Sequence, residues 1–100
     1  MDALQIVSEP RRREILRLVW DRELSSGEIA ARFDVTFGAI SQHLGVLRGA
    51  GFVHVRHEGN RRLYLANRER LGPLAAALES MWTATLDRLA NAVESDRDPR

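Results

Sequence analysis

Apolar residues recur at helical spacing through most of the chain, with one interruption where the period becomes two. Ala3, Leu4, Ile6 and Val7 lie in a first segment, Asp2 to Val7, that ends near Ser8-Glu9-Pro10. Pro10 suits the first position of a helix, where a missing N–H forfeits no bond, with Ser8 or Glu9 as the cap. Ile15, Leu16, Leu18, Val19 and Trp20 then form one apolar face, with Arg11, Arg12, Arg13 and Arg17 largely off it. Ser25-Ser26-Gly27-Glu28 reads as a capping box, Ser25 capping and Glu28 reaching back. The helix it opens is short, carries Ile29, Ala30 and Phe33, and ends by Asp34. Thr36 caps the next helix, about 36–50, which stops at Gly49 or Gly51.

Residues 52–57 and 61–66 are alternating runs rich in β-branched and aromatic residues, joined by Glu58-Gly59-Asn60. They predict a short hairpin over about 52–66. The helical period returns with Leu71, Leu74, Leu78, Met81 or Trp82, Leu86, Leu89 and Val93, predicting one long helix over about 68–94. Residues 95–100 are expected to fray. Helix, helix, short helix, capped helix, hairpin, long helix is the order of a winged helix-turn-helix. The fold class expected is therefore mainly α (α+β), a single domain over 1–94 with a two-stranded wing and added terminal helices.

Composition narrows the function. The chain has 100 residues, 44% apolar and 29% charged, which fits one small globular domain with little room for an elaborate cavity. No apolar run approaches the roughly 18–20 residues of a membrane span, and the N-terminus lacks a signal-peptide pattern. A cytoplasmic chain is expected. The absence of cysteine removes disulfides, thiolate metal sites and a cysteine nucleophile. Net charge is only +1, but it is unevenly distributed. Residues 36–70 carry six arginines against two glutamates, net +4, while the flanking stretches are net −1 and −2. A local basic segment in a nearly neutral chain points to one anionic partner surface.

At 100° per residue, Ile40, Leu44 and Leu47 share the core face of the 36–50 helix, and Gly38, Ser41, Gln42, Gly45 and Gly49 lie outward. A helix with a small, polar outer face enters a major groove about 12 Å wide without steric conflict. Gln42 is the strongest base reader, since its amide can pair bidentately with adenine. Ser41 can contact base or phosphate, the Thr36 end of the helix favours a phosphate, and Phe37 is placed to touch a thymine methyl. His43, beside the core sector, suits either a hydrogen-bonded structural role or a phosphate contact, and Arg48 completes the helix set. At the hairpin tip Asn60, Arg61 and Arg62 can reach the adjacent backbone or minor groove. Arg11, Arg12 and Arg13 are further phosphate candidates, with at least one expected to pair with Glu9, Glu14 or another nearby acid.

The chain resembles the ArsR-type winged-helix repressors. The resemblance is carried by Ser8-Glu9-Pro10-Arg11-Arg12-Arg13-Glu14-Ile15-Leu16 and Leu24-Ser25-Ser26-Gly27-Glu28-Ile29-Ala30, then Val35-Thr36 and Ile40-Ser41-Gln42-His43-Leu44. It continues through Leu47-Arg48-Gly49-Ala50-Gly51-Phe52-Val53 and Gly59-Asn60-Arg61-Arg62-Leu63-Tyr64, covering about residues 3–94. It implies a homodimeric, cytoplasmic repressor that binds double-stranded operator DNA arranged as an inverted repeat. It also implies that the first and last helices form the dimer interface. On that pattern Leu4, Ile6, Val7, Leu74, Leu78, Met81, Trp82, Leu86 and Leu89 are the candidate interface residues.

Metal sensing of the kind many such repressors use is not expected. Asp21-Arg22-Glu23-Leu24-Ser25 stands where a thiolate cluster would fall, and the last helix has no histidine. Glu79, Asp87 and Glu94 alone are poor zinc ligands. His54 and His57 lie three apart on a strand and point to opposite faces. No cofactor or metal is therefore expected, and the inducing signal has no assigned site. No Ser/His/Asp order or phosphate loop supports an enzyme. The competing reading is a winged-helix protein–protein module without DNA readout, against which the +4 segment argues.

Overall fold

Side-chain caps set most of the helix boundaries. A computed structural model describes residues 1–97, with side chains through Leu86 and at Arg88. The described residues form α1 (Ala3–Val7), α2 (Pro10–Leu18), β1 (Leu24–Ser25), α3 (Ser26–Ala30) and α4 (Phe37–Ala50), then β2 (Val53–Glu58), β3 (Arg61–Ala66), α5 (Arg68–Leu71) and α6 (Pro73–Arg97). Asp2 and Gln5 make a capping box at α1, and Ser25 and Glu28 make the expected one at α3. Glu9 caps α2 through Arg11 N–H, with Pro10 in the first turn. Thr36 Oγ1 accepts from Ala39 N–H at 3.1 Å and starts α4. Gly51 ends it in the left-handed region (φ 78°), which a side chain would disfavour, and the last carbonyls are met by its own N–H.

The expected winged helix-turn-helix is the architecture observed. The core is one cluster in which Ile15, Leu16, Val19, Ile29, Ile40 and Leu47 are almost fully enclosed. Burying such a side chain contributes about 1.5–3 kcal/mol, so Leu47→Ala, at the centre, should cost about 2–5 kcal/mol. Beneath the helices β3 pairs antiparallel with β2, in the register Val53↔Ala66 to Glu58↔Arg61. Gly59 and Asn60 form the turn, and only Gly59 carries positive φ (62°).

Three expectations are corrected here. The sheet has a third strand, because β1 pairs with β3 through Leu24↔Tyr64 and Ser25↔Leu63, giving the order β1-β3-β2. The C-terminal helix is not continuous from residue 68: α5 stops at Leu71, Gly72 takes φ 57° and ψ −131°, and α6 starts at Pro73. Its backbone then continues to Arg97, past the expected limit of 94. Finally, Ile6, Val7 and Leu78 are buried in the chain's own core. The fold of one chain already encloses these three side chains.

Candidate nucleic-acid interface

The basic middle of the chain becomes two adjoining features, α4 and the β2–β3 wing. On α4, Ile40, Leu44 and Leu47 point inward while Phe37, Gly38, Ser41, Gln42, Gly45, Arg48 and Gly49 are exposed. Phe37, at 57% exposure, is a large apolar side chain presented to solvent in the first turn. A Cβ built at Gly45 or Gly49 meets nothing within 4 Å, so packing inside the chain does not require glycine at either place. Thr36 is exposed and caps the end of the helix where backbone N–H groups favour an anion.

His43 does not join that outward face. It is half-buried, with Nδ1 3.3 Å from an Arg12 guanidinium nitrogen and Nε2 3.3 Å from Glu9 Oε2. Arg12 is itself buried and donates from Nε to the Ile6 carbonyl at 2.8 Å. Arg13 donates to the Val7 and Ser8 carbonyls at 3.0 and 2.9 Å. These two arginines therefore satisfy the open C-terminal carbonyls of α1. Among the described residues neither makes the expected pairing with a nearby acid: Glu14 pairs with Arg17 instead. Of the three, only Arg11 is exposed.

The wing sorts its cations by face. Arg61 and Arg62 are consecutive on β3 and project to opposite sides. Arg61 pairs with Glu28 of α3 at 3.0 Å, and Arg56 makes a two-pronged contact with Glu23 at 2.7 and 2.9 Å. Arg56 holds the Glu23 carboxyl below its ordinary range. The Ser25 backbone N–H is the first cause of the same depression at Glu28, followed by the Ser25 side chain and then Arg61. Arg62 is exposed and forms no ion pair among the described residues, and Asn60 is exposed at the tip. Adjacent positions at the hairpin tip make Arg61 and Arg62 look equivalent in the sequence. Contacts 33 residues apart distinguish them, and no local pattern signals such contacts.

The proposed interface residues fall into two groups. Leu74 and Trp82 are partly buried against the chain's own core, with the Trp82 ring edge-on to Trp20 at 4.9 Å. Trp20 also donates from Nε1 to Glu79 at 3.1 Å and carries the Arg68 guanidinium 5.0 Å from its ring centre. Leu4, Met81 and Leu86 are exposed, and Leu89 lies outside the described side chains. Met81, Trp82, Thr85 and Leu86 line a groove of about 530 Å³ with Pro10, Arg13, Glu14 and Arg17 of α2. Among the described residues no three histidine, cysteine or acidic side chains gather where they could hold a metal.

Comparison with known proteins gives a consistent family. A model described as bacterial regulatory protein, arsR family, matches residues 9–55. The chain is 34% identical over 96 residues to the HTH-type transcriptional regulator Rv2034 of Mycobacterium tuberculosis, covering 96% of this chain and 90% of that one. It is 31% identical over 86 residues to the biofilm growth-associated repressor of Agrobacterium fabrum, covering 86% of this chain and 74% of that one. A solved structure described as a possible transcriptional regulator for arsenical resistance aligns with a TM-score of 0.70 at 38% identity, over 92% of this chain and 96% of the other.

Proposed function

Since the chain belongs to the arsR family of bacterial regulatory proteins, we propose that it acts as a homodimeric repressor. Each chain lays α4 in the major groove of one half of an inverted-repeat operator. The family consists of transcription regulators, so the chain is a DNA-binding regulator and not an enzyme. The observation that carries the finer reading is the outer face of α4: Gly38, Ser41, Gln42, Gly45 and Gly49 are all exposed and small or polar, opposite the buried Ile40, Leu44 and Leu47. Such a face lets a helix backbone approach base edges closely. Gln42 reads an adenine, Ser41 and the Thr36 end of the helix hold phosphates, and Phe37 packs on a thymine methyl. Arg48 and the exposed wing residues Asn60 and Arg62 contact the flanking backbone, with Arg61 closer to its Glu28 partner. His43 supports the helix from behind.

A homodimer is supported by geometry. One chain presents one recognition helix, whereas two half-sites about 34–36 Å apart need two. The exposed Leu4, Met81 and Leu86, with the groove between α2 and α6, offer the apolar surface for a second copy. Among the described residues no helix is long and apolar enough to cross a membrane, and the chain acts in the cytoplasm, where bacterial DNA lies. The test is retention of genomic DNA fragments by the purified chain against excess random-sequence competitor at several salt concentrations. A small set of fragments retained, with affinity falling as salt rises, is the expected result. No fragment retained over competitor would leave a winged-helix module that binds protein partners instead.

A further inference from the structure

The recognition helix is tied to the rest of the chain by a polar link that its DNA-facing residues do not explain. Arg12, on α2, is buried yet charged, and every one of its guanidinium nitrogens has a partner. Nε donates to the Ile6 carbonyl at 2.8 Å, and one terminal nitrogen reaches the Gln5 carbonyl at 3.4 Å and Met1 Sδ at 3.8 Å. The other terminal nitrogen lies 3.3 Å from His43 Nδ1. A guanidinium can only donate, so in that contact Nδ1 is the acceptor. Nε2 faces Glu9 Oε2 at 3.3 Å, while Oε1 of the same carboxylate caps α2 through Arg11 N–H at 2.8 Å. The last turn of α1, the cap of α2 and the middle of α4 are thus joined through one imidazole. Gln42, the residue just before His43 on α4, lines the same surface hollow as Arg12 and His43.

We propose that His43 is a positioning residue, coupling α1 to the recognition helix through Arg12 and holding α4 at the rotation that presents Gln42 to a base. The inference rests on the DNA-reading function and adds to it a route from the chain's N-terminal segment to the reading face. Apolar packing of Ile40, Leu44 and Leu47 decides which face of α4 turns inward, but it is non-directional and leaves a few degrees of rotation open. A directional donor–acceptor contact on the flank of the helix resists that rotation. Leaving Arg12 with an unmet buried donor would shift either α1 or α4.

The test separates the two sides of the imidazole. Asparagine places its Oδ1 as many bonds from the backbone as Nδ1, so H43N keeps an acceptor for Arg12. Glutamine places its terminal amide as far out as Nε2, so H43Q keeps only the contact to Glu9. H43F keeps neither. Each variant and the wild type are titrated, at several salt concentrations, into a duplex selected by the wild type and into a random-sequence duplex, with thermal melts alongside. H43F should lose about tenfold on the selected duplex with the random duplex little changed. H43N should recover most of that loss and H43Q little. Wild-type affinity in H43F overturns the proposal. Equal losses on both duplexes with a flatter salt dependence overturn it too, by making His43 a phosphate contact. Should H43F fail to fold, equal affinities for H43N and H43Q overturn it. A wild type with no sequence preference overturns the DNA-reading function as well, so the two failures are distinguishable.

Discussion

Glycine inside a helix costs about 0.5–1 kcal/mol relative to alanine, and at Gly45 nothing among the described residues repays it, since a Cβ there would meet none of them within 4 Å. On the proposed function, the demand comes from a base-pair edge or phosphate brought close to α4. Gly45→Ala should therefore raise stability by about 0.5–1 kcal/mol in denaturant titration while weakening DNA binding. Unchanged affinity would remove α4's centre from the contact surface. Three residues earlier on the same outward side, Gln42→Ala should cost about 1–3 kcal/mol on a specific site and little on random DNA. Equal losses on both would make Gln42 a residue that only orients the protein. The outward placement of Ser41, Gln42 and Gly45 was legible because a helical period sorts side chains by angle alone. The inward engagement of His43 was not, because its partners Arg12 and Glu9 lie 31 and 34 positions away and only tertiary packing brings them together.

At the level of elements, boundaries marked by polar caps were readable and those marked by pairing were not. Ser25 and Thr36 announce helix starts through side-chain acceptors, and Gly51, one of two candidate stops, ends α4 through its backbone. β1 has two residues, too few to show a period, and exists because β3 offers it a free edge at Leu63 and Tyr64. The break at Gly72-Pro73 was hidden by Leu71, Leu74 and Leu78, whose helical spacing runs straight across it although Gly-Pro is a chain-breaking signal. Within the wing, the faces of β3 give different roles to neighbouring arginines. Arg62→Ala should reduce the slope of log affinity against log salt by about one unit. Arg61→Ala should reduce it by less, because Glu28 already neutralises that charge in the free chain. The reverse order, measured by anisotropy titration over a salt series, would place Arg61 on the phosphate and release Glu28 on binding.

For the whole molecule, the division of α6 between the chain's own core and solvent decides how a dimer can form. Ala75 and Leu78 are enclosed, Trp82 is edge-on to Trp20, and Met81 and Leu86 are exposed beside the α2 groove. Trp82→Ala would thus disturb one chain's fold together with any association. Leu86, 66% exposed, is the cleaner probe. Leu86→Glu should leave thermal stability of the monomer within about 0.5 kcal/mol and shift sedimentation at micromolar concentration from dimer to monomer. A variant that stays dimeric would move the interface elsewhere. Both ideas, reading by α4 and dimeric assembly, meet in the sequences the purified chain enriches from a random duplex pool. The account predicts a two-fold symmetric motif with half-site centres about one helical turn, 10–10.5 base pairs, or a multiple of it apart, and loss of an adenine preference in each half when the pool is selected with Gln42→Ala. An unsymmetric motif, no motif, or one that the Gln42→Ala chain enriches unchanged would contradict it.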